Sequence, residues 1–304
     1  MDGFLEKACE IDAQILKNER MSAHTSFHIG GPADIFAQPV SVDALIKLLK
    51  LAADLGVHVE LVGAGTNLLV RDGGVRGVVI STRRLCGVKI AECGSGYAVI
   101  EAECGVPLPS LAVFARENSL SGLEFAQGIP GTLGGALCMN AGAYGGVIGE
   151  LVESVYCCDL SGNAFMKTGA ELEFGYRKSV FSRGDSVALS TRIRLVRGEK
   201  DDISALMESY AARRRETQPL DMPSAGSTFK RPEGHFAGKL ISDAGLKGTT
   251  VGGAQVSRKH AGFVVNIGNA TAADVLNLCG IVADEVKRKF DVELEREIRV
   301  IGED

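Results

Sequence analysis

Apolar positions fall into a helical rhythm after Ser41, where Val42, Leu45, Leu49, Ala52 and Leu55 recur at three- and four-residue spacing. Ser41 supplies an N-cap, and Asp43 places negative charge in the first turn, where the helix dipole favours it. Gly56 ends that helix. Alternation over 33–37, behind the turn forced by Gly30-Gly31-Pro32, predicts a strand before it, and the apolar run 57–62 predicts one after it. Strand, helix and strand make a unit of about thirty residues, the size of a βαβ motif. Residues 1–20, with scattered charges, predict a helical lead-in.

From 75 to 103 the period shortens to two, in GVVIST, GVKIAEC and YAVIEAEC separated by Gly/Ser turns. A helix over 110–120 follows Pro109, with Leu111, Phe114 and Ala115 inward. Short strands are predicted in LVESVYCCDL, NAFMKTG and SVALSTRIRLVRG, then a helix over 201–215. A last helix runs from Thr271, its N-cap, to about Lys289, burying Val275, Leu278, Cys279, Val282 and Val286. The chain closes on a predicted strand over 293–302. Alternation there puts Glu295, Glu297 and Arg299 on one face, so spacing does not choose between the two glutamates.

Two stretches break the pattern. GAGTNLLVRDGG (63–74) follows a strand, a position where backbone amides can hold a pyrophosphate. It is not GxGxxG opening a helix, because Leu68-Leu69-Val70 continues as strand, so an ordinary dinucleotide fold is disfavoured. The second stretch, GIPGTLGGALCMNAGAYGG (128–146), has seven glycines in nineteen residues against 38 in 304 for the chain. Bare backbone of this kind suits a flat cofactor or a phosphate, and equally suits a turn-rich connector. Two such loops in consecutive subdomains can clamp one long cofactor between them.

Composition narrows the partners. Net charge −5 and a pI near 5.7 lack the basic footprint of a nucleic-acid binder, and aromatics at 6% without Trp offer no stacking platform. No apolar run approaches the roughly 18 residues of a membrane span. The opening MDGFLEKACEIDAQ lacks a secretory h-region, so a cytoplasmic protein, not membrane-bound, is expected. Eight cysteines form no CxxC pair and five histidines no ligand-spaced cluster. Reduced thiols, several of them core fillers, and no metal site are expected.

Candidate chemistry lies outside the glycine stretches. Ser227, in AGSTFK, is not in a GxSxG elbow; it is a turn serine or a proton donor to a developing carbanion. Arg177, among aromatics in FGYRKSVF, is either partly buried with a carboxylate partner or reads an anionic ligand. Arg213-Arg214-Arg215 ends a helix, either complementing its dipole or forming an anion-binding edge.

Read together, TSFHIGGPAD, GAGTNLLVRDGG, GIPGTLGGALCMNAGAYGG, FGYRKSVF, AGSTFKRP and LEREIRVIG, in that order, closely resemble the UDP-N-acetylenolpyruvoylglucosamine reductase family over residues 20–302. The resemblance implies an α+β protein with an FAD-binding fold of the vanillyl-alcohol oxidase (PCMH) type in two subdomains, 1–74 and 75–212. A smaller α+β substrate-binding domain over 213–291 would follow, with 292–304 returning to the second subdomain. It implies non-covalent FAD, since residues 63–69 hold no histidine for a covalent link, and NADPH as co-substrate. FAD contacts would come from Gly63, Ala64, Gly65, Thr66, Asn67 and Leu68 in the first loop. In the second they would come from Gly128, Ile129, Pro130, Gly131, Thr132, Gly134, Gly135, Asn140, Ala141, Gly142 and Ala143.

By the same resemblance Ser227 would protonate C2 of the enolpyruvyl group after hydride reaches C3. Arg177 and Glu297 would stabilise the enolic intermediate, and Arg214 and Lys230 would contact substrate. The product would be UDP-N-acetylmuramate, a peptidoglycan precursor, made by a monomer. Longer family members carry a tyrosine-bearing loop over the substrate. Only fourteen residues, 178–191, separate Arg177 from Arg192 of the TRIRL strand, so this chain resembles the shorter class. The alternatives are a flavin oxidase of the same fold and a non-catalytic nucleotide-sugar or FAD sensor.

Overall fold

In the computed structural model, which describes residues 2–304, the helix expected after Ser41 forms over Val42–Asp54. Ser41 Oγ accepts the Ala44 N–H at 3.1 Å, and Gly56 follows at φ 62°. The chain divides into two units, one of residues up to 17, 35–64 and 77–213, the other of 18–34, 65–76 and 214–304. Both mix helices and sheets, the α+β architecture the family resemblance implies.

The first unit contains a four-stranded sheet in the order Ala13–Arg20, Pro32–Pro39, Val75–Ser81, Val59–Val62. The expected strand–helix–strand motif is there, with Val75–Ser81 inserted between its two strands and parallel to Val59–Val62. A six-stranded antiparallel sheet follows, built around the twelve-residue strand Ser186–Arg197. That strand pairs on one side with Val152–Asp159 and on the other with Tyr97–Glu103. One apolar core joins Leu45, Leu48 and Leu49 of the helix Val42–Asp54 to Ile80, Ile100, Leu111, Leu133, Leu189 and Ile193.

In the second unit the helix Ala272–Phe290 buries Val275, Leu278, Cys279, Val282 and Val286, the five residues its periodicity singles out. Its start is doubly capped. Thr271 and Asp274 form a capping box, and the Asp72 carboxylate accepts the N–H groups of Ala272 at 2.9 Å and Ala273 at 3.1 Å. The helix packs on an antiparallel sheet in the order Ser224–Ser227, Phe263–Asn266, Ala254–Val256, Thr250–Val251.

Two local expectations are corrected. Residues 1–20 are not a helical lead-in: Asp2–Ala8 is helical, but Ala13–Arg20 is an edge strand, because an open sheet edge satisfies its backbone groups. The closing strand covers only Arg299–Ile301. Expected to return to 75–212, it instead pairs in parallel with Leu68–Val70, where Val300 packs against the second unit's core and Ile301 is buried.

Candidate active site

In the first unit the glycine stretch opens with a turn closed by Ile129 N–H to Ala126 O at 3.0 Å. Gln127 at φ −59°, ψ 119° and Gly128 at φ 78° make it type II, which needs a residue tolerant of positive φ in the second place. Gly131 follows at φ 136°, and Thr132, 3% exposed, caps the short helix Leu133–Met139. A Cβ on Gly63 would collide with Thr132 Oγ1, so the start of the first glycine loop lies directly against the second. Both expected loops meet here, and only glycine at 63 permits the approach.

Among the described residues, no group of the chain accepts from the N–H of Gly128, Gly131 or Thr132. Beside them, Gln127 Oε1 is buried with no hydrogen-bond partner. Undonated backbone N–H groups suit phosphate oxygens, and a buried acceptor suits a ring N–H or ribityl hydroxyl. This local chemistry fits FAD. Asn140, a candidate contact, has its side chain committed within the protein. Its Nδ2 donates to Gly175 O and its Oδ1 accepts the Gly149 N–H, both at 3.0 Å.

Sequence reasoning missed the end of the stretch. Gly142–Ala143 and Gly146–Val147 pair as a small hairpin, and Tyr144 sits in its turn at φ 53°. The Tyr144 ring stacks on Tyr210 at 4.3 Å and 5°, with Arg213 5.4 Å from its centroid. A tyrosine immediately before Gly145-Gly146 is the one signal that could have pointed there. Arg177 belongs to the first unit too, at the tip of a two-residue turn between Gly175 and Lys178, at φ 52°.

In the second unit Ser227 ends the strand Ser224–Ser227. Ser224 pairs with Val265 and Ser227 with Phe263, so three steps on one strand face two on the other, a bulge. Gly226 absorbs it at φ 77°. Ala225 and Thr228 are buried, while Ser227 is turned outward. Thr228 O then accepts the Glu297 N–H at 2.9 Å, and Asn67 Nδ2 donates to Glu297 O at 3.2 Å. Asn67, Ser227 and Glu297 are thus brought together by adjacent backbone. Gly65 packs on the His24 carbonyl, and Ser26 Oγ donates to Ser224 O at 2.6 Å, tying the first loop to the serine strand.

The two expected substrate contacts are both engaged. Lys230 pairs with Glu295, and Arg214, 8% exposed, donates to Gln218 Oε1 at 3.3 Å. His260, singled out by nothing in the sequence, supports the serine from behind. Its Nδ1 accepts the Gly262 N–H at 3.1 Å, and Gly262 O accepts the Thr228 N–H at 2.8 Å. Burial holds the His260 pKa below the usual histidine value. Among the described residues no group of His, Cys, Asp or Glu could hold a metal ion. Among the described residues no helix is long and apolar enough to cross a membrane.

Comparison with known proteins bears on both units. Residues 33–165 match the FAD binding domain family, and 218–301 match the C-terminal domain of UDP-N-acetylenolpyruvoylglucosamine reductase. The reductase of that name from Clostridioides difficile is 46% identical over 291 residues, covering 94% of this chain and 93% of that protein. The one from Caldanaerobacter subterraneus is 48% identical over 302 residues, covering 99% and 98%. The crystal structure of the MurB reductase from Thermus caldophilus superimposes with a TM-score of 0.80 at 32% identity, covering 96% of this chain and all of that one.

Proposed function

This chain belongs to the UDP-N-acetylenolpyruvoylglucosamine reductase family, with FAD as its cofactor, and we propose that it performs the reduction for which that family is named. The substrate is the enolpyruvyl ether of UDP-N-acetylglucosamine and the product UDP-N-acetylmuramate. The backbone N–H groups of Gly128, Gly131 and Thr132 would hold FAD, which when bound and reduced by NADPH would supply hydride for C3 of the enolpyruvyl group.

The chain's own residues handle the other half of the addition. Hydride at C3 breaks the carbon–carbon π bond and leaves an electron pair at C2, delocalised into the carboxylate as an enolate. Ser227 transfers its hydroxyl proton to C2 and regains one from solvent. Arg177 and Glu297 stabilise the enolic intermediate by charge and hydrogen bonding, as an oxyanion site does. Arg214 and Lys230 contact the substrate's anionic groups. The second unit's bulge carries most of this reading: it turns Ser227 outward and bonds the next residue's carbonyl to Glu297.

The purified protein is expected to show flavin absorbance near ~450 nm and to oxidise NADPH faster when the enolpyruvyl substrate is added. No stimulation by that substrate rejects the assignment. Ser227→Ala should keep NADPH-driven flavin reduction while turnover falls by about 10²- to 10⁴-fold. Equal loss of both half-reactions would remove Ser227 from the proton-donor role.

A further inference from the structure

Arg177 holds a backbone conformation that costs an L-residue roughly 1–2 kcal/mol. Such strain persists only where the surroundings over-determine it. The surroundings are specific. Gly175 and Lys178 exchange both backbone hydrogen bonds, N–H to O at 2.9 and 3.3 Å, which fixes Tyr176 and Arg177 as the turn's tip. Asn140 Nδ2 donates to the same Gly175 carbonyl at 3.0 Å, using its second lone pair. On the other side of the turn, Ser179 Oγ donates to Cys138 O at 3.0 Å and Ser182 Oγ to the same carbonyl at 2.6 Å. Both sides of the arginine turn are therefore tied to consecutive parts of the glycine stretch.

We propose that Asn140 is a positioning residue for Arg177, holding its turn in place from the cofactor-side loop. The inference rests on the catalytic reading of Arg177 given above. Asparagine's two amide ends are each required. Gly175 offers a carbonyl and needs a donor, while Gly149 offers an N–H and needs an acceptor. Only one amide orientation satisfies both, and a carboxylate satisfies one. Space confirms the fit: a Cβ on Gly149 would lie 2.7 Å from Asn140 Oδ1 and 2.7 Å from the Phe174 ring. Asn140 itself is 8% exposed and left-handed, at φ 42°, ψ 58°, a conformation asparagine tolerates better than most residues. The glycine stretch thereby has a second task, as the frame of a charged group that acts on substrate.

The test is a double-mutant cycle read on half-reactions. Asn140→Gly removes the side chain and keeps the left-handed backbone unstrained. NADPH-driven flavin reduction and flavin content are read on the same preparation. Substrate-driven reoxidation should slow by about 10- to 100-fold, the scale of a misplaced catalytic group. In an Arg177→Ala background the same substitution should change reoxidation by less than about threefold, since the group it positions is gone. An equal effect in both backgrounds overturns the proposal, as does loss of flavin or of the reductive half-reaction. If Arg177→Ala alone leaves reoxidation unchanged, the role of Arg177 fails first and takes this inference with it. Asn140→Asp, which keeps the acceptor for Gly149 and deletes the donor to Gly175, should repeat the pattern. Failure of both variants to give soluble flavoprotein overturns the proposal in favour of a purely structural role.

Discussion

Glu295 is exposed and paired with Lys230, whereas Glu297 is half-buried with its N–H and carbonyl bonded to Thr228 and Asn67. Alternation could not separate them because it presumes a strand, and the segment becomes one only at Arg299. Their neighbours do separate them. Glu297→Gln should lower turnover by about 10²-fold or more, as removing a group that stabilises a developing charge does. Glu295→Gln should stay within about twofold, because exposed ion pairs contribute about 0–1 kcal/mol; steady-state kinetics of both variants decides. His260 gives a second residue-scale prediction. Burial lowers its folded-state pKa, with the nearby Lys247 charge acting the same way. Between the folded value and about 6.5 the unfolded chain binds more protons, so stability falls as pH drops through that window. Protonation would also cost Nδ1 its bond from Gly262. Urea unfolding should show that slope between about pH 7.5 and 5, and His260→Gln should flatten it.

At the scale of elements, what was legible depended on how local the signal was. The helices Val42–Asp54 and Ala272–Phe290 carry their period and caps in contiguous sequence, and they formed where expected. The strand Ala13–Arg20 owes its state to a sheet neighbour, Pro32–Pro39, so local pattern misassigned it. The same reason hid the bulge at Gly226 and the Tyr144 hairpin, both fixed by register rather than composition. Glycine density did single out both loops, and what it could not foresee is that they touch at Thr132. Gly63→Ala should push that threonine aside, weakening the cap of Leu133–Met139 by about 1 kcal/mol. Reduced flavin retention on gel filtration and a lower Tm are expected. Parent-like values for both would mean the close approach has no bearing on cofactor binding.

Across the whole molecule, the cysteines report on both cores at once. Cys104, Cys157 and Cys158 are buried in the first unit's core and Cys279 in the second's. Burial pushes the Cys104 and Cys158 thiols up to about 12 and those of Cys157 and Cys279 to about 11. Since the thiolate is the nucleophile, these four are shielded twice, by packing and by protonation. Cys9, Cys86 and Cys93 are exposed, although burial and the Glu103 charge raise the Cys86 pKa. A thiol reagent at neutral pH should therefore modify Cys9 and Cys93 first and Cys86 more slowly, with Cys138 behind them. The four core cysteines should react only as denaturant opens the unit that holds each. Peptide mass spectrometry across a denaturant series reads this directly, with Cys279 marking one core and Cys104, Cys157 and Cys158 the other. Rapid modification of Cys104 or Cys279 in the native protein would show that the corresponding core is open at that helix or strand.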